Sequence, residues 1–101
     1  MKVPDIIYLF GKPFTVECRK DHEYKEKTKG TIYHNRQKIC YSDDHVTDDL
    51  RDTILHECIH GIGDACDLEL TERQTGVLAT MLISVSRENP ELFRDIFTGK
   101  D

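Results

Sequence analysis

The sequence predicts an α+β domain in which a small antiparallel sheet is followed by two to three helices. The first 42 residues contain four short apolar or alternating runs separated by turn residues, which is typical of β-hairpins. Beyond residue 42 the apolar side chains recur every three to four positions, which is the period of an amphipathic helix. The length of 101 residues is that of one domain, so we expect residues 1–101 to form a single unit.

Two hairpins are predicted in the N-terminal part. Residues 6–10 and 14–18 flank a glycine- and proline-containing turn, and residues 31–34 and 38–42 flank a second polar turn. Residues 19–29 between the hairpins are highly charged and have no apolar period, so they are predicted to form an exposed loop. The segment 39–42 is a candidate sheet edge near the site that could hold an extended peptide.

The first helix is predicted to begin within the acidic segment 43–49, with Thr47 as its N-cap, because carboxylates stabilise the N-terminal end of a helix. Gly61 and Gly63 either end this helix or allow close packing. Its predicted apolar face is broad: a stripe with a spacing of four residues, with Leu55 and Ile59 beside it. The stripe consists of Leu50, Ile54, Cys58 and Ile62.

Two further helices are predicted after it. Thr71 is the expected cap of the second helix, and Asn89 with Pro90 closes that helix and opens the third. The residues predicted to face inward are Val77, Leu78, Met81, Leu82 and Val85 in the second helix and Leu92, Phe93, Ile96 and Phe97 in the third.

The net charge limits the classes of binding partner that the sequence favours. With 14 Lys and Arg against 19 Asp and Glu, the net charge is −5, which disfavours binding to nucleic acid or to an anionic membrane. No apolar run is long enough for a signal peptide or a membrane span, so a cytoplasmic protein is expected. The four cysteines form no C-x-x-C pair, and most are expected to be small buried thiols.

One motif carries chemistry: residues 56–60 have the sequence HECIH, an H-E-x-x-H pattern within a predicted helix. Residues four apart lie about 40° apart around a helix, so His56 and His60 project from one face and can bind one metal ion. Glu57 is then placed beside the metal, where it suits a general base that activates water. The pattern predicts a zinc site with Glu57 as the catalytic residue.

The third zinc ligand has several candidates. Glu72 opens the second helix, and a carboxylate from a helix packed on the first would complete a His, His, Glu site. Its alternative role is that of an acidic residue at a helix N-terminus. Cys66 occupies the last place of an H-E-x-x-H-x-x-G-x-x-C arrangement, and thiolate is a good zinc ligand. The remaining candidates are Asp64, Asp67 and Glu69.

Residues 55–97 resemble the small gluzincins encoded by phages and other mobile elements, which are related to the ImmA/IrrE-like metallopeptidases. The resemblance rests on LHECIHG at 55–61, ERQTGVLA at 72–79 and RENPELF at 87–93. Thr75 departs from the small apolar residue usual at its place. The resemblance implies a minimal zincin-like fold, Glu72 as the third ligand and a mobile-element setting.

The expected function is therefore a zinc-dependent peptidase that acts on a peptide or protein. The alternative is a zinc-stabilised interaction module that cleaves nothing, and a deformylase-like hydrolase that uses Cys18 or Cys40 is a third possibility. A peptidase also needs a donor for the developing oxyanion. The candidates are Tyr33, Tyr41, His45, Arg73 and Arg87.

Overall fold

The computed structural model describes residues 1–20, 29–43 and 47–99, with the backbone alone at 47 and 48. The predicted α+β class is confirmed, with four strands and three helices. The strands are β1 (Ile6–Leu9), β2 (Lys12–Arg19), β3 (Gly30–Tyr33) and β4 (Lys38–Ser42). The helices are α1 (Thr47–Ala65), α2 (Glu72–Glu88) and α3 (Pro90–Thr98).

The sheet is mixed, whereas an antiparallel sheet was predicted. Both predicted hairpins are present and antiparallel, but β2 pairs with β4 in parallel, which gives the order β1-β2-β4-β3. β4 therefore lies inside the sheet, where Ile39, Cys40 and Ser42 are buried. The prediction that residues 39–42 form an edge is wrong, because local alternation identifies a strand but not its neighbours. Among the described strands, β1 and β3 form the edges.

The first hairpin turns within two residues. Phe10 and Gly11 both have positive φ, at 54° and 77°, which is the backbone conformation of a type I′ turn. Most of the predicted charged loop, residues 21–28, lies outside the described residues, while Arg19 belongs to β2. The acidic segment at the start of α1 lies only partly within the described residues. The side chain of Thr47, the predicted N-cap, lies outside them.

Helix α1 packs against the sheet and α2 through part of the predicted apolar face. It continues past both glycines, and a Cβ at Gly61 would lie 2.4 Å from the Leu9 side chain and 3.2 Å from Ile32. The glycines thus allow close packing and do not end the helix. Within the predicted face Ile59 is buried and Cys58 is half-buried, whereas Ile62 is exposed, so the prediction is wrong for Ile62.

Helix α2 is capped as predicted, but it does not pack through the predicted stripe of larger apolar side chains. The Thr71 hydroxyl accepts a hydrogen bond from the Gln74 backbone N–H, and the Gln74 side chain accepts one from the Thr71 N–H. Thr75 and Ala79 are its buried residues. The inward orientation predicted for the apolar side chains is therefore wrong for Val77, Leu78, Met81, Leu82, Val85, Leu92, Ile96 and Phe97, which are all exposed. Phe93 is half-buried.

Two further predictions concern membrane-spanning helices and the burial of the cysteines. The described helices include none with the length and hydropathy needed to cross a membrane. All four cysteines are free thiols, and only Cys40 is buried; Cys18 and Cys66 are exposed. The expectation that most of them are buried is therefore wrong, since two lie at element ends, in β2 and after α1.

Candidate metal centre and active-site cleft

Two histidines on consecutive turns of α1 form the centre of the site. The Nε2 atoms of His56 and His60 lie 3.0 Å apart, and their rings meet edge to face with centroids 4.7 Å apart. Both side chains are 22% exposed. The helix thus directs two imidazole nitrogens from one face to one point, as the i, i+4 spacing predicts.

The first residue of α2 brings a carboxylate to the same point. The Oε2 atom of Glu72 is 3.2 Å from His56 Nε2, and its Oε1 atom is 2.5 Å from His60 Nε2. The capping box at Thr71 and Gln74 fixes where α2 begins and therefore where this side chain stands. The Glu72 side chain is 78% exposed, so the site is open to solvent on this side.

The donor set suits a zinc ion. Two imidazole nitrogens and one carboxylate oxygen, all within 4.8 Å of one another, come from three side chains. Donors bound at about 2.0–2.2 Å to one tetrahedral ion lie roughly 3–3.5 Å from each other, so two of the three separations already approach that value. Three protein ligands with an open side are the arrangement of catalytic zinc sites, which keep one position for water or substrate.

Glu57 lies in the same cleft but outside the donor group. It is buried, at 5% exposure, and burial together with the nearby Glu72 charge raises its pKa from 4.5 to about 7. The glycine of β3 allows this arrangement, because a Cβ at Gly30 would lie 2.6 Å from Thr53 Cγ2 and 3.1 Å from Glu57 Oε2. A carboxyl group with a pKa near neutrality is suited to accept and return a proton.

These groups line one cleft of about 470 Å³ between the sheet and the helices. The edge strand β3 forms one wall, through Gly30, Thr31 and Ile32, and the N-terminal half of α1 contributes Asp52 and Thr53. The sheet edge beside the site is thus β3, and not the segment 39–42 that the sequence suggested.

The other candidate ligands lie elsewhere. Among the described residues, the converging group contains neither Cys66 nor any of the alternative acidic residues. Cys66 is exposed in the turn after α1, and Asp67 and Glu69 are exposed too. Asp64 Oδ2 lies 3.6 Å from the Nδ1 atom of His34.

His34 is a cleft residue that the sequence analysis missed. It lines the cleft, and its buried Nδ1 atom has no hydrogen-bond partner among the residues that the structure describes. Alternate residues of a strand face the same side, and Gly30 and Ile32 face the helices. Continuing this alternation to residue 34 would have predicted that His34 lies on the cleft side.

The candidate oxyanion donors are dispersed. His45 lies outside the described residues. Tyr41 is half-buried, and burial, with a further contribution from Cys18, raises its pKa. Tyr33 lies beneath the Arg36 guanidinium, 5.5 Å from the ring centroid. Neither tyrosine lines the cleft, and nor do Arg73 and Arg87.

Comparisons of the chain with protein-family models, with curated proteins and with solved structures found no match.

Proposed function

We propose that this protein is a zinc-dependent metallopeptidase of the gluzincin type. The observation that carries the proposal is the convergence of His56, His60 and Glu72 in a cleft that also holds the buried carboxyl group of Glu57. A purely structural zinc site needs no acid–base group beside it. The retention of a carboxyl group whose pKa is about 7 therefore favours an enzyme over a metal-stabilised module.

The roles of the residues follow from their chemistry. His56, His60 and Glu72 would hold the ion, which when bound polarises a carbonyl group and makes water more acidic. Glu57 accepts a proton from the attacking water and returns it to the leaving amine nitrogen, so that it is regenerated in each cycle. Peptide-bond hydrolysis requires both steps.

An extended peptide is the substrate class that suits this cleft. The cleft runs beside the edge strand β3, and extended chains bind next to sheet edges. We place the activity in the cytoplasm, of a host cell if a mobile element encodes the protein, because free cysteines persist in a reducing compartment.

The test compares the wild type with Glu57→Gln, which keeps the side-chain size but cannot accept a proton. Both proteins would be expressed in the native host, and their peptide profiles compared by mass spectrometry. We expect cleavage products that are absent with Glu57→Gln and with His56→Ala, while Glu57→Gln retains zinc. Identical profiles would contradict the peptidase and support the zinc-stabilised interaction module instead.

A further inference from the structure

A second cavity, of about 450 Å³, adjoins the metal cleft. It lies between the N-terminal part of α1 and the C-terminal part of α2, and we call it the α1–α2 cavity; its walls include Asp49, Thr80 and Ser84. Asp52 lines both the cleft and this cavity, so the two share one side chain as a common wall. The volume is within the range of about 300–1,000 Å³ that is typical of ligand sites.

Asp52 lies on the metal-binding face of α1. It precedes His56 by four residues and His60 by eight, so the three side chains lie on successive turns within an arc of about 80°. Along the helix axis Asp52 is about 6 Å from His56, which is the length of about two residues of an extended peptide. The distance from the metal ligands to the α1–α2 cavity is therefore short on the scale of a bound peptide.

A peptide that lies beside β3 leads toward this cavity. The strand runs alongside α1 in the same direction, since Gly30 is next to Thr53 and Ile32 is next to Gly61. The end of the cleft at Gly30 is therefore the end nearest to Asp52. A peptide with its reacting bond at the converging ligands would pass Asp52 within about two residues.

The α1–α2 cavity carries an excess of negative charge. Three carboxylates line it, those of Asp49, Asp52 and Glu88, together with the guanidinium group of Arg87. Asp49 forms an ion pair with Lys29. Among the residues that the structure describes around this cavity, the two cations thus leave one carboxylate charge unbalanced. The cavity is complementary to a ligand group with one positive charge.

Asp52 is the carboxylate that can accept such a group. The Thr80 hydroxyl lies 3.3 Å from both of its oxygens, and a hydroxyl donates one hydrogen and no charge. A carboxylate has about four acceptor positions, so Asp52 can accept further hydrogen bonds. Ile83, which is half-buried, supplies an apolar wall of the same cavity. A carboxylate beside an apolar wall suits a cation on an aliphatic stem.

We propose that the α1–α2 cavity binds a lysine or arginine side chain of the peptide substrate, and that Asp52 determines this specificity. The aliphatic stem lies against Ile83, and the ammonium or guanidinium group donates hydrogen bonds to Asp52. The N-terminal amine of a peptide has the same charge but no aliphatic stem, so the side chain is the better fit. The inference rests on the proposed peptidase function, because it assigns the basic residue to the substrate.

The first test determines which peptides the zinc-loaded protein cleaves. A mixture of N-terminally acetylated peptides of random sequence is digested, and the products are sequenced by mass spectrometry. We expect lysine or arginine to be enriched within two residues of the cleaved bond, and this enrichment to fall about tenfold in Asp52→Asn. Asp52→Glu keeps the charge and should retain the enrichment. Asp67→Asn is the matched control, because it makes the same change at an exposed position outside both cavities.

The outcomes separate this inference from the peptidase function. Cleavage without a preference for basic residues, or a preference that persists in Asp52→Asn, would overturn the inference and leave the peptidase function intact. Peptides with a free N-terminus test the other source of charge. If cleavage required that terminus and Asp52→Asn removed the requirement, the cavity would bind the terminal amine and the side-chain assignment would be wrong.

The second test does not depend on cleavage. Butylguanidinium reproduces the end of an arginine side chain, and butylurea is a neutral molecule of nearly the same shape. Both are titrated into the isotope-labelled protein, and the NMR resonances of Thr80 and Ser84 report binding in the cavity. We expect butylguanidinium to bind about tenfold more tightly than butylurea, and Asp52→Asn to remove the difference.

This second test decides the inference even if no peptide is cleaved. Equal binding of the two molecules by the wild type would overturn the cation site. Tighter binding of butylguanidinium that depends on Asp52, in a protein that cleaves no peptide, would support the cation site and contradict the peptidase function.

Discussion

At the scale of single residues, the buried position of Glu57 opposes the role of general base that we propose for it. Its carboxyl group is buried between α1 and β3, close to Glu72, and both surroundings disfavour its charged form. A general base must nevertheless lose its proton to work. A cation at the three converging ligands would favour the ionised form, so the cost of burying this group is tied to the metal.

Glu57 therefore makes the stability of the metal-free protein depend on pH. Its pKa is about 7 in the folded chain and near 4.5 in the unfolded chain. Between these values the folded state binds the proton and the unfolded state does not, so the free energy of unfolding falls as the pH rises, by up to about 3 kcal/mol. We expect Glu57→Gln to remove this loss and to exceed the wild type in stability at pH 8. Urea unfolding in the presence of a chelator at pH 5 and pH 8 measures it.

Other groups titrate over the same range of pH. The informative quantity is therefore the difference between wild type and variant in how the free energy of unfolding changes with pH. Glu69→Gln makes the same chemical change at an exposed position outside the cleft and should leave the pH dependence unchanged. If Glu57→Gln and Glu69→Gln behaved alike, the burial of Glu57 would not be the cause.

The third ligand can be tested by a pair of substitutions. Glu72→Ala removes the carboxylate that contacts both histidines, and we expect it to weaken zinc binding by about 10–100-fold or more. Cys66→Ser should leave the affinity unchanged, because this thiol is exposed and outside the converging group. Competition titration with a zinc-binding dye gives both constants. A larger loss in Cys66→Ser would assign the third position to the thiol.

At the scale of elements, two glycines beside the site differ in whether the structure has room for a larger side chain in their place. A Cβ at Gly30 would lie 2.6 Å from Thr53 Cγ2 and 3.1 Å from Glu57 Oε2, whereas a Cβ at Gly76 would lie 3.8 Å from His56. We expect Gly30→Ala to lower the free energy of unfolding by about 1–3 kcal/mol. Gly76→Ala should raise it by about 0.5–1 kcal/mol, because alanine is the better helix former. Urea denaturation distinguishes them, and a destabilised Gly76→Ala would contradict the observed spacing.

The elements themselves were largely predictable from local signals. The bounds of β4 match the predicted segment. Thr71 caps α2 and Pro90 begins α3 as expected, since turns and caps depend on neighbouring residues. The packed faces were not predictable in this way. Periodicity identifies an apolar face, but α2 packs on α1 through the small residues Thr75 and Ala79 and leaves its larger side chains exposed.

The candidate site shows the same difference between features that local sequence predicts and features that depend on how the elements pack. The pair His56 and His60 follows from helix geometry alone, and the structure brings their nitrogens together. Glu72 is 16 residues away from His56, so its approach depends on how α2 crosses α1, which no local pattern contains. The same is true of His34, which reaches the cleft only because β3 is the edge strand beside α1.

At the scale of the whole molecule, the three side chains proposed to bind zinc connect the two helices of the α1–α2 pair. Glu72 stands at the start of α2, and the two histidines lie in the middle of α1. In the unfolded chain these groups are not held together, so an ion that binds all three binds the folded state selectively. Zinc would also offset the repulsion between Glu72 and the ionised Glu57.

Thermal unfolding should therefore depend on the concentration of free zinc. Binding to the folded state alone adds about 1.4 kcal/mol for each tenfold rise in zinc above the dissociation constant, and about 2.7 kcal/mol at one hundred times that constant. For a domain of this length, the latter corresponds to a rise in Tm of roughly 10–20 °C. Calorimetry across a buffered zinc series measures the slope, with magnesium as the control ion, because it prefers oxygen ligands and should have no effect. His56→Ala should flatten the zinc response. A Tm that is independent of zinc, or one that responds equally in His56→Ala, would show that these residues do not form the site.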